Sequence, residues 1–265
     1  MYNTVMRLTV LGSRGSIPVC GPQYRMFGGS TSCYMVEAGG ETIFLDAGTG
    51  LLEAPTDFPR PPVILLSHLH LDHVLGLGMY SRLNMRGAET RLMLEAPSAQ
   101  VAAERVSELF RPPYWPLRLT DYPGRLAISP LAGSFRVGEV EVECATGHHP
   151  DGSIIFRLGY GGKSLVYATD YESEPESFAR LISFCRGADL VLYDAQYTDE
   201  EYVSKKGFGH STAGKGIELL LRSGAKKLLL IHHNPFAADK ELLYRERVLF
   251  HPKIRYAREG EVYEL

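Results

Sequence analysis

The chain has 265 residues, 45% of them hydrophobic and 22% charged, with a formal net charge of −3. These values fit a globular protein with a sizeable core. The small net charge gives no ground for expecting nucleic acid or an anionic membrane as partner.

The N-terminus lacks a basic region followed by a long apolar run, and no stretch approaches the ~18 apolar residues that span a bilayer. Four cysteines, Cys20, Cys33, Cys144 and Cys185, are scattered without CxxC spacing. The expectation is a cytoplasmic protein with reduced thiols.

Arg7 to Leu11 reads as a strand running into Gly12-Ser13-Arg14-Gly15-Ser16-Ile17-Pro18. The glycines permit a tight turn, and Arg14 beside free backbone N–H groups could face an anion; a plain surface turn is the other reading. Cys33 to Glu37 and Thr42 to Leu45, joined through Gly39-Gly40, predict a β-hairpin. Asp46 at its end either orients a metal-bound histidine or caps the next turn. Pro55 to Pro62 is a proline-rich connector into the apolar strand Val63 to Leu66. Val74 to Asn84 then predicts a short helix, Arg91 to Glu95 a strand, and Ser98 the cap of a helix reaching about Phe110. Arg111-Pro112-Pro113-Tyr114-Trp115-Pro116 cannot be regular helix. Its aromatic residues suit a substrate lid, a homodimer contact or a plug over the core.

Further strands are expected at Ser134 to Val137 and Val140 to Ala145, followed by Gly147-His148-His149-Pro150-Asp151-Gly152. Ile154 to Leu158 and Ser164 to Ala168 form another hairpin, ending at Thr169-Asp170. A helix over Pro175 to Cys185 precedes the strand Leu190 to Asp194. Gly209-His210-Ser211-Thr212 opens a helix that ends near Ser223-Gly224, with Ser211 or Thr212 as cap. The strand Lys227 to Ile231 ends in His232-His233. A helix around Asp239 to Phe250, with His251 as a surface residue, and a short strand pair near Ile254 and Val262 finish the chain. No linker splits it, so residues 1–265 read as a single domain of two β-rich layers under outer helices.

The densest chemistry lies in Ser67-His68-Leu69-His70-Leu71-Asp72-His73, behind the apolar strand. His68 and His70 are two apart, so in an extended segment they share a side and can bind one cation. Asp72 and His73 fall where the chain turns into a helix and can face a second cation. A solvated loop and an N-cap are the ion-free readings; the spacing behind a strand favours metal. Asp170 and His232 also follow strand-like runs directly, as do Asp46 and Asp194, and strand ends along one sheet edge are where an α/β fold gathers a site.

His-x-His-x-Asp-His, then His148/His149, Asp170 and His232/His233, resembles the five-part signature of the metallo-β-lactamase superfamily. The resemblance implies an α/β fold, a four-layer αββα sandwich, carrying a dinuclear hydrolytic centre. It implies that His68, His70 and His149 bind one metal and Asp72, His73 and His232 the other, with Asp170 bridging. His149 is preferred because His-Pro-x-Gly is the form of the most similar branch, and His232 because it comes first after its strand. The remaining histidine of each pair would support a ligand or face solvent. Histidine and carboxylate donors without cysteine favour two Zn²⁺ ions, with Mn²⁺ or Fe²⁺ as alternatives.

Gly209-His210-Ser211-Thr212 resembles the motif of the phosphodiesterase branch, whose histidine contacts the scissile phosphate and helps the leaving group depart. His210 therefore joins Asp72 as an expected catalytic residue. Independently, a histidine at a helix N-terminus lies beside free N–H groups that suit an anion; a histidine merely flanking a capped helix is the plainer reading. The chain is most similar to small bacterial metal-dependent hydrolases related to cyclic phosphodiesterases and ribonuclease Z. That likeness rests on Gly-Ser-Arg-Gly-Ser-Ile-Pro, Phe-Gly-Gly-Ser-Thr-Ser-Cys, His-Pro-Asp-Gly, Tyr193-Asp194-Ala195-Gln196-Tyr197 and Gly-His-Ser-Thr. Ser30 departs from it, standing where asparagine is expected.

Two dications, less the Asp72 and Asp170 carboxylates and a bridging hydroxide, leave about one net positive charge, which suits a phosphodiester and its transition state. The expected substrate is a small anionic phosphodiester, cyclic forms included. A nucleic acid polymer is argued against, because the interval from His149 to Asp170 has no room for the long arm of tRNA-processing enzymes. A lactone or thioester hydrolase with the same site, and a sensor that binds nucleotide or metal without turnover, are the alternatives.

Overall fold

The apolar runs assemble into two seven-stranded sheets in the computed structural model, which describes residues 5–265. The first half supplies β1 (Arg7–Gly12), β2 (Cys33–Ala38), β3 (Glu41–Leu45), β4 (Val63–Leu65), α1 (Leu71–Val74), β5 (Glu89–Leu94), α2 (Ala99–Leu109) and β6 (Arg125–Pro130). Next come β7 (Ser134–Val137), β8 (Val140–Gly147), β9 (Ser153–Tyr160), β10 (Lys163–Ala168), α3 (Pro175–Phe184) and β11 (Leu190–Asp194). The chain ends with α4 (Asp199–Tyr202), α5 (Ala213–Ser223), β12 (Leu228–Ile231), α6 (Asp239–Leu249), β13 (Ile254–Tyr256) and β14 (Val262–Glu264).

One sheet has the order β14-β1-β2-β3-β4-β5-β6 and the other β13-β12-β11-β10-β9-β8-β7. In both, hairpin strands give way to parallel ones, β3 to β6 in the first and β10 to β13 in the second. The sheets face each other through Leu8, Val36, Ile43 and Leu65 on one side and Phe156, Leu165, Leu192 and Leu229 on the other. α3, α5 and α6 cover the second sheet through Phe178, Leu219 and Leu242, while α2 covers the first through Ala102 and Val106. This is the expected αββα sandwich. Strands β11 and β12, buried along their whole length, read as unbroken apolar runs because both their faces are covered.

Several local expectations give way. The stretch 74–84 is not one helix: α1 stops at Val74, and 3₁₀ turns follow at Leu75–Met79 and Ser81–Asn84. Gly76 and Gly78 fall inside it, and two glycines in so short a run cost about 1 kcal/mol each in helix propensity. Ile254 and Val262 do not pair with each other, since β13 extends one sheet beside β12 and β14 the other beside β1. β6 and α4 were not anticipated, although Thr198 and Glu201 form a capping box at α4. His251 lies just past α6 and is only partly exposed.

Arg14 neither faces an anion nor lies in a surface turn. It is fully buried, donating from Nε to the Gly28 carbonyl at 2.8 Å and from Nη1 to the Ala237 carbonyl at 2.7 Å. Trp115 acts as a plug, packing edge-on against Phe110 at 5.5 Å and donating from Nε1 to the Tyr122 hydroxyl. All four cysteines are free. Among the described residues no helix is long and apolar enough to cross a membrane.

Candidate metal centre

Parallel strands β3, β4, β10, β11 and β12 deliver Asp46, His68, Asp170, Asp194 and His232 to one edge of the sandwich. Three of these residues leave their strands in the left-handed region: Asp46 at φ 61°, Asp170 at φ 48° and His232 at φ 60°. Such backbone costs about 1–3 kcal/mol per non-glycine residue and persists where the surroundings enforce it, typically at functional sites. Here it coincides with the point where each chain turns sharply beside the cluster.

The sequence-predicted residues come together. His68, His70, His149 and Asp170 form one group whose donor atoms lie within 4.8 Å of one another, Asp72, His73 and His232 form a second, and Asp170, Asp194, His210 and His232 a third. Asp170 lies between the groups, with Oδ2 at 3.1 Å from His73 Nε2 and 3.3 Å from His232 Nε2. Its Oδ1 is 3.7 Å from His149 Nε2 and 3.9 Å from His68 Nε2. His149 enters the cluster while His148 stays exposed. His232 enters it while His233 turns away, buried, donating from Nε2 to the Ala257 carbonyl at 2.7 Å rather than meeting solvent.

Whether this donor set fits a cation can be judged from its orphans. Among the described residues the buried Nε2 atoms of His68 and His73 make no well-aligned hydrogen bond, although Asp72 Oδ2 and Asp170 Oδ2 each stand 3.1 Å from the latter. Such nitrogens are costly to bury unless a cation or donor meets them. Electrostatics agree. Burial opposes the charge on His73, but Asp72, Asp170 and Asp46 outweigh it and hold its pKa well above the usual histidine value. His232 is pushed up to about 9 against burial, by Asp170 first and then by Asp72 and Asp194. Burial likewise opposes ionisation of Asp72 and Asp170, and the surrounding histidines still keep both carboxyls below the usual range. The pocket calls for positive charge.

The support around this cluster is long-range. His73 donates from Nδ1 to Asp46 Oδ2 at 2.6 Å, which leaves Nε2 as the nitrogen that faces the centre. Asp46 also accepts from the Ser67 N–H at 2.6 Å, the Ser67 hydroxyl at 2.7 Å and the Tyr167 hydroxyl at 2.7 Å. Of its two readings, Asp46 takes the orienting one. The turn after β1 closes over the cluster: the Ser16 N–H donates to Asp72 Oδ2 at 2.7 Å. Gly15 allows that approach, because a Cβ there would stand 2.3 Å from His232 Nδ1. Replacing Asp46 by alanine strands four donors in a fully buried site, and we expect a loss of about 3–5 kcal/mol of stability. Urea unfolding of both proteins checks this; a difference below about 1 kcal/mol would contradict the role.

His210 lies on the far flank. It donates from Nδ1 to Asp194 Oδ2 at 2.8 Å, stacks on His232 at 4.8 Å and sits 5.3 Å from His149. Its Nε2 has no hydrogen-bond partner among the described residues and is not sealed from solvent. Thr212, not Ser211, caps α5, accepting from the Lys215 N–H. Ser211 instead meets the Tyr193 hydroxyl at 2.7 Å. Glu172, on which the sequence carries no signal, accepts from Gly207 N–H, Tyr202 hydroxyl and Gly209 N–H.

A profile of the beta-lactamase superfamily domain matches residues 41–233, spanning the cluster from just before Asp46 to just past His232. The chain belongs to that superfamily. Ribonuclease Z of Bradyrhizobium sp. (strain ORS 278) is 29% identical over 84% of this chain and 90% of that protein. The metallo-beta-lactamase fold protein YhfI from Bacillus subtilis superposes with a TM-score of 0.73 at 19% identity, covering 98% of this chain and 100% of that one. A diphosphatase from the PhnP family gives a TM-score of 0.71 at 19% identity over 98% of each chain.

Superfamily membership makes the chain a hydrolase of the metallo-β-lactamase fold and implies divalent metal binding, which the orphaned imidazoles fit. Ribonuclease Z aligns across most of this chain, so the short interval between His149 and Asp170 is not enough by itself to exclude a nucleic acid.

Proposed function

We propose that residues 1–265 act as one hydrolase domain, a metal-dependent phosphodiesterase for a small anionic phosphodiester, cyclic ones included. The observation that carries this reading is the His210–Asp194 pair, set against the metal cluster with its Nε2 unpartnered. The relatives named ribonuclease Z and diphosphatase act, by those names, on phosphate-linked substrates, which supports the same reading.

His68, His70 and His149 would hold one ion and Asp72, His73 and His232 a second, with Asp170 shared; Zn²⁺ is favoured over Mn²⁺ or Fe²⁺ by this donor set. When bound, such ions supply Lewis acidity and bring the pKa of water from ~16 towards ~7. The protein's own groups do the rest. Asp72, pinned by the Ser16 N–H, orients the attacking water. That water, having released one proton to solvent, forms the new P–O bond as the bond to the leaving oxygen breaks. His210, protonated on both ring nitrogens with Nδ1 held by Asp194, gives its Nε2 proton to that leaving oxygen and is left as the neutral Nδ1–H ring. A cavity of about 590 Å³ beside His68 and His70, lined by Leu69, Leu94, Ile154 and Arg105, has the size of a small-molecule site.

The test is hydrolysis of bis(p-nitrophenyl) phosphate by protein loaded with Zn²⁺ or with Mn²⁺, beside a chelator-stripped sample. Turnover should vanish on stripping and return with the ion. No turnover in either loaded form would sink the phosphodiesterase reading.

A further inference from the structure

The hydrolytic reading makes no use of Glu172, a buried carboxylate two residues beyond Asp170. Its oxygens collect three donors from one segment. Gly207 N–H and the Tyr202 hydroxyl reach Oε1 at 2.7 and 2.8 Å, and Gly209 N–H reaches Oε2 at 3.0 Å. Its own N–H donates to the His148 carbonyl at 2.8 Å, so Glu172 also holds the strand end that carries His149.

The segment it grips makes the two contacts that matter at the centre. The Gly209 carbonyl accepts from His149 Nδ1 at 2.9 Å, and the next residue is His210. Gly209 sits at φ +85°, and a Cβ there would stand 2.1 Å from His149 Nδ1, so peptide and imidazole are packed without slack. Asp194 holds its far end at His210 and Ser211, but over 203–208 little else anchors it. Val203 is 82% exposed and Phe208 57% exposed. The Lys206–Glu174 pair at 3.7 Å is a solvent-facing contact of the kind that contributes little. A carboxylate taking three hydrogen bonds is the strong tie here.

We propose that Glu172 is a positioning residue that sets His149 and His210 in register with each other. Its effect on turnover rests on the reading of His210 as proton donor; its effect on His149 does not. Glu172 touches neither substrate nor ion, and acts by fixing the 207–209 peptide between two imidazoles. A displacement of about 1 Å at such a position can cost on the order of a hundredfold in rate.

Glu172→Gln tests this, because the amide keeps one acceptor oxygen and turns an NH₂ towards donors, leaving at least one of the three unpaired. Two readouts separate the halves of the proposal. Zn²⁺ affinity, measured by chelator competition without substrate, should weaken about tenfold, the usual size of such effects on a ligand's hydrogen-bond partner. At saturating Zn²⁺, kcat for diphenyl phosphate should fall about ten- to hundredfold with KM within about threefold. In a His210→Ala background the same change should cost under about threefold, since the group it positions is gone. An equal loss in both backgrounds would overturn the link to His210, and an unchanged Zn²⁺ affinity the link to His149. Absence of turnover in the unmutated protein would count against the phosphodiesterase reading and leave the affinity arm standing. Should Glu172→Gln fail to fold, Glu172→Asp, shorter by one methylene, carries the same measurements.

Discussion

Asp170→Asn should lower kcat/KM for bis(p-nitrophenyl) phosphate by about four orders of magnitude or more, roughly 5–6 kcal/mol of transition-state stabilisation. No other carboxylate stands so centrally. Its oxygens lie within 3.9 Å of ring nitrogens of His68, His73, His149, His210 and His232. The substitution is chosen to spare the fold. Asparagine is isosteric and tolerates the left-handed backbone found here at φ 48°. The Ser153 hydroxyl donates to the residue's backbone carbonyl, a bond that survives the change. What disappears is the charge at the meeting point of the two donor groups, so metal content should fall along with activity while circular dichroism stays unchanged. A variant that keeps its full metal complement and works within tenfold of the parent would show that Asp170 is not shared between two ions.

The residues of this centre were legible in the sequence because their chemistry is written locally. His68, His70, Asp72 and His73 occupy six positions behind one apolar strand, His232 follows its strand directly and Asp170 comes one residue after its own. What holds them was not legible. Tyr167 reaches Asp46 across 121 residues, and Glu172 reaches Gly207 across 35, separations that no periodicity encodes. Arg14 shows the same limit from the other side. A glycine-flanked arginine reads as an anion contact, whereas the fold buries it completely among backbone carbonyls from two distant segments. The apolar runs carried the two β-rich layers under helices, and the resemblance carried the αββα sandwich. The helix expected over 74–84 does not form, because Gly76 and Gly78 interrupt a run too short to absorb their cost. β6, an edge strand paired only with β5, exposed at Arg125 and only partly buried beyond it, lacks a clear apolar signal.

His210→Ala should separate substrates by their leaving groups. On diphenyl phosphate, whose phenolate departs poorly, we expect a loss of about 10²–10⁴-fold, the range for removing a positioned general acid. On bis(p-nitrophenyl) phosphate, whose leaving group departs well without a proton, the loss should stay within about tenfold. The asymmetry follows from geometry. Asp194 is fully buried, and its Oδ1 accepts from the Gln196 and Ser211 N–H groups at 3.1 and 3.2 Å, so the carboxylate is fixed before it meets His210. It therefore holds His210 Nδ1 in the donor role and leaves Nε2 to serve the substrate, as in other carboxylate-oriented histidine bases and acids. Asp194→Asn should mimic His210→Ala on diphenyl phosphate, because an amide N–H turned towards Nδ1 displaces the proton that Asp194 holds there, the one the ring must keep once Nε2 has given up its own. A histidine that merely filled space or gripped the phosphate would give equal losses on both substrates. Equal losses would move His210 from proton donor to anion contact, and small losses on both would revive the lactone or thioester reading, in which this residue is dispensable.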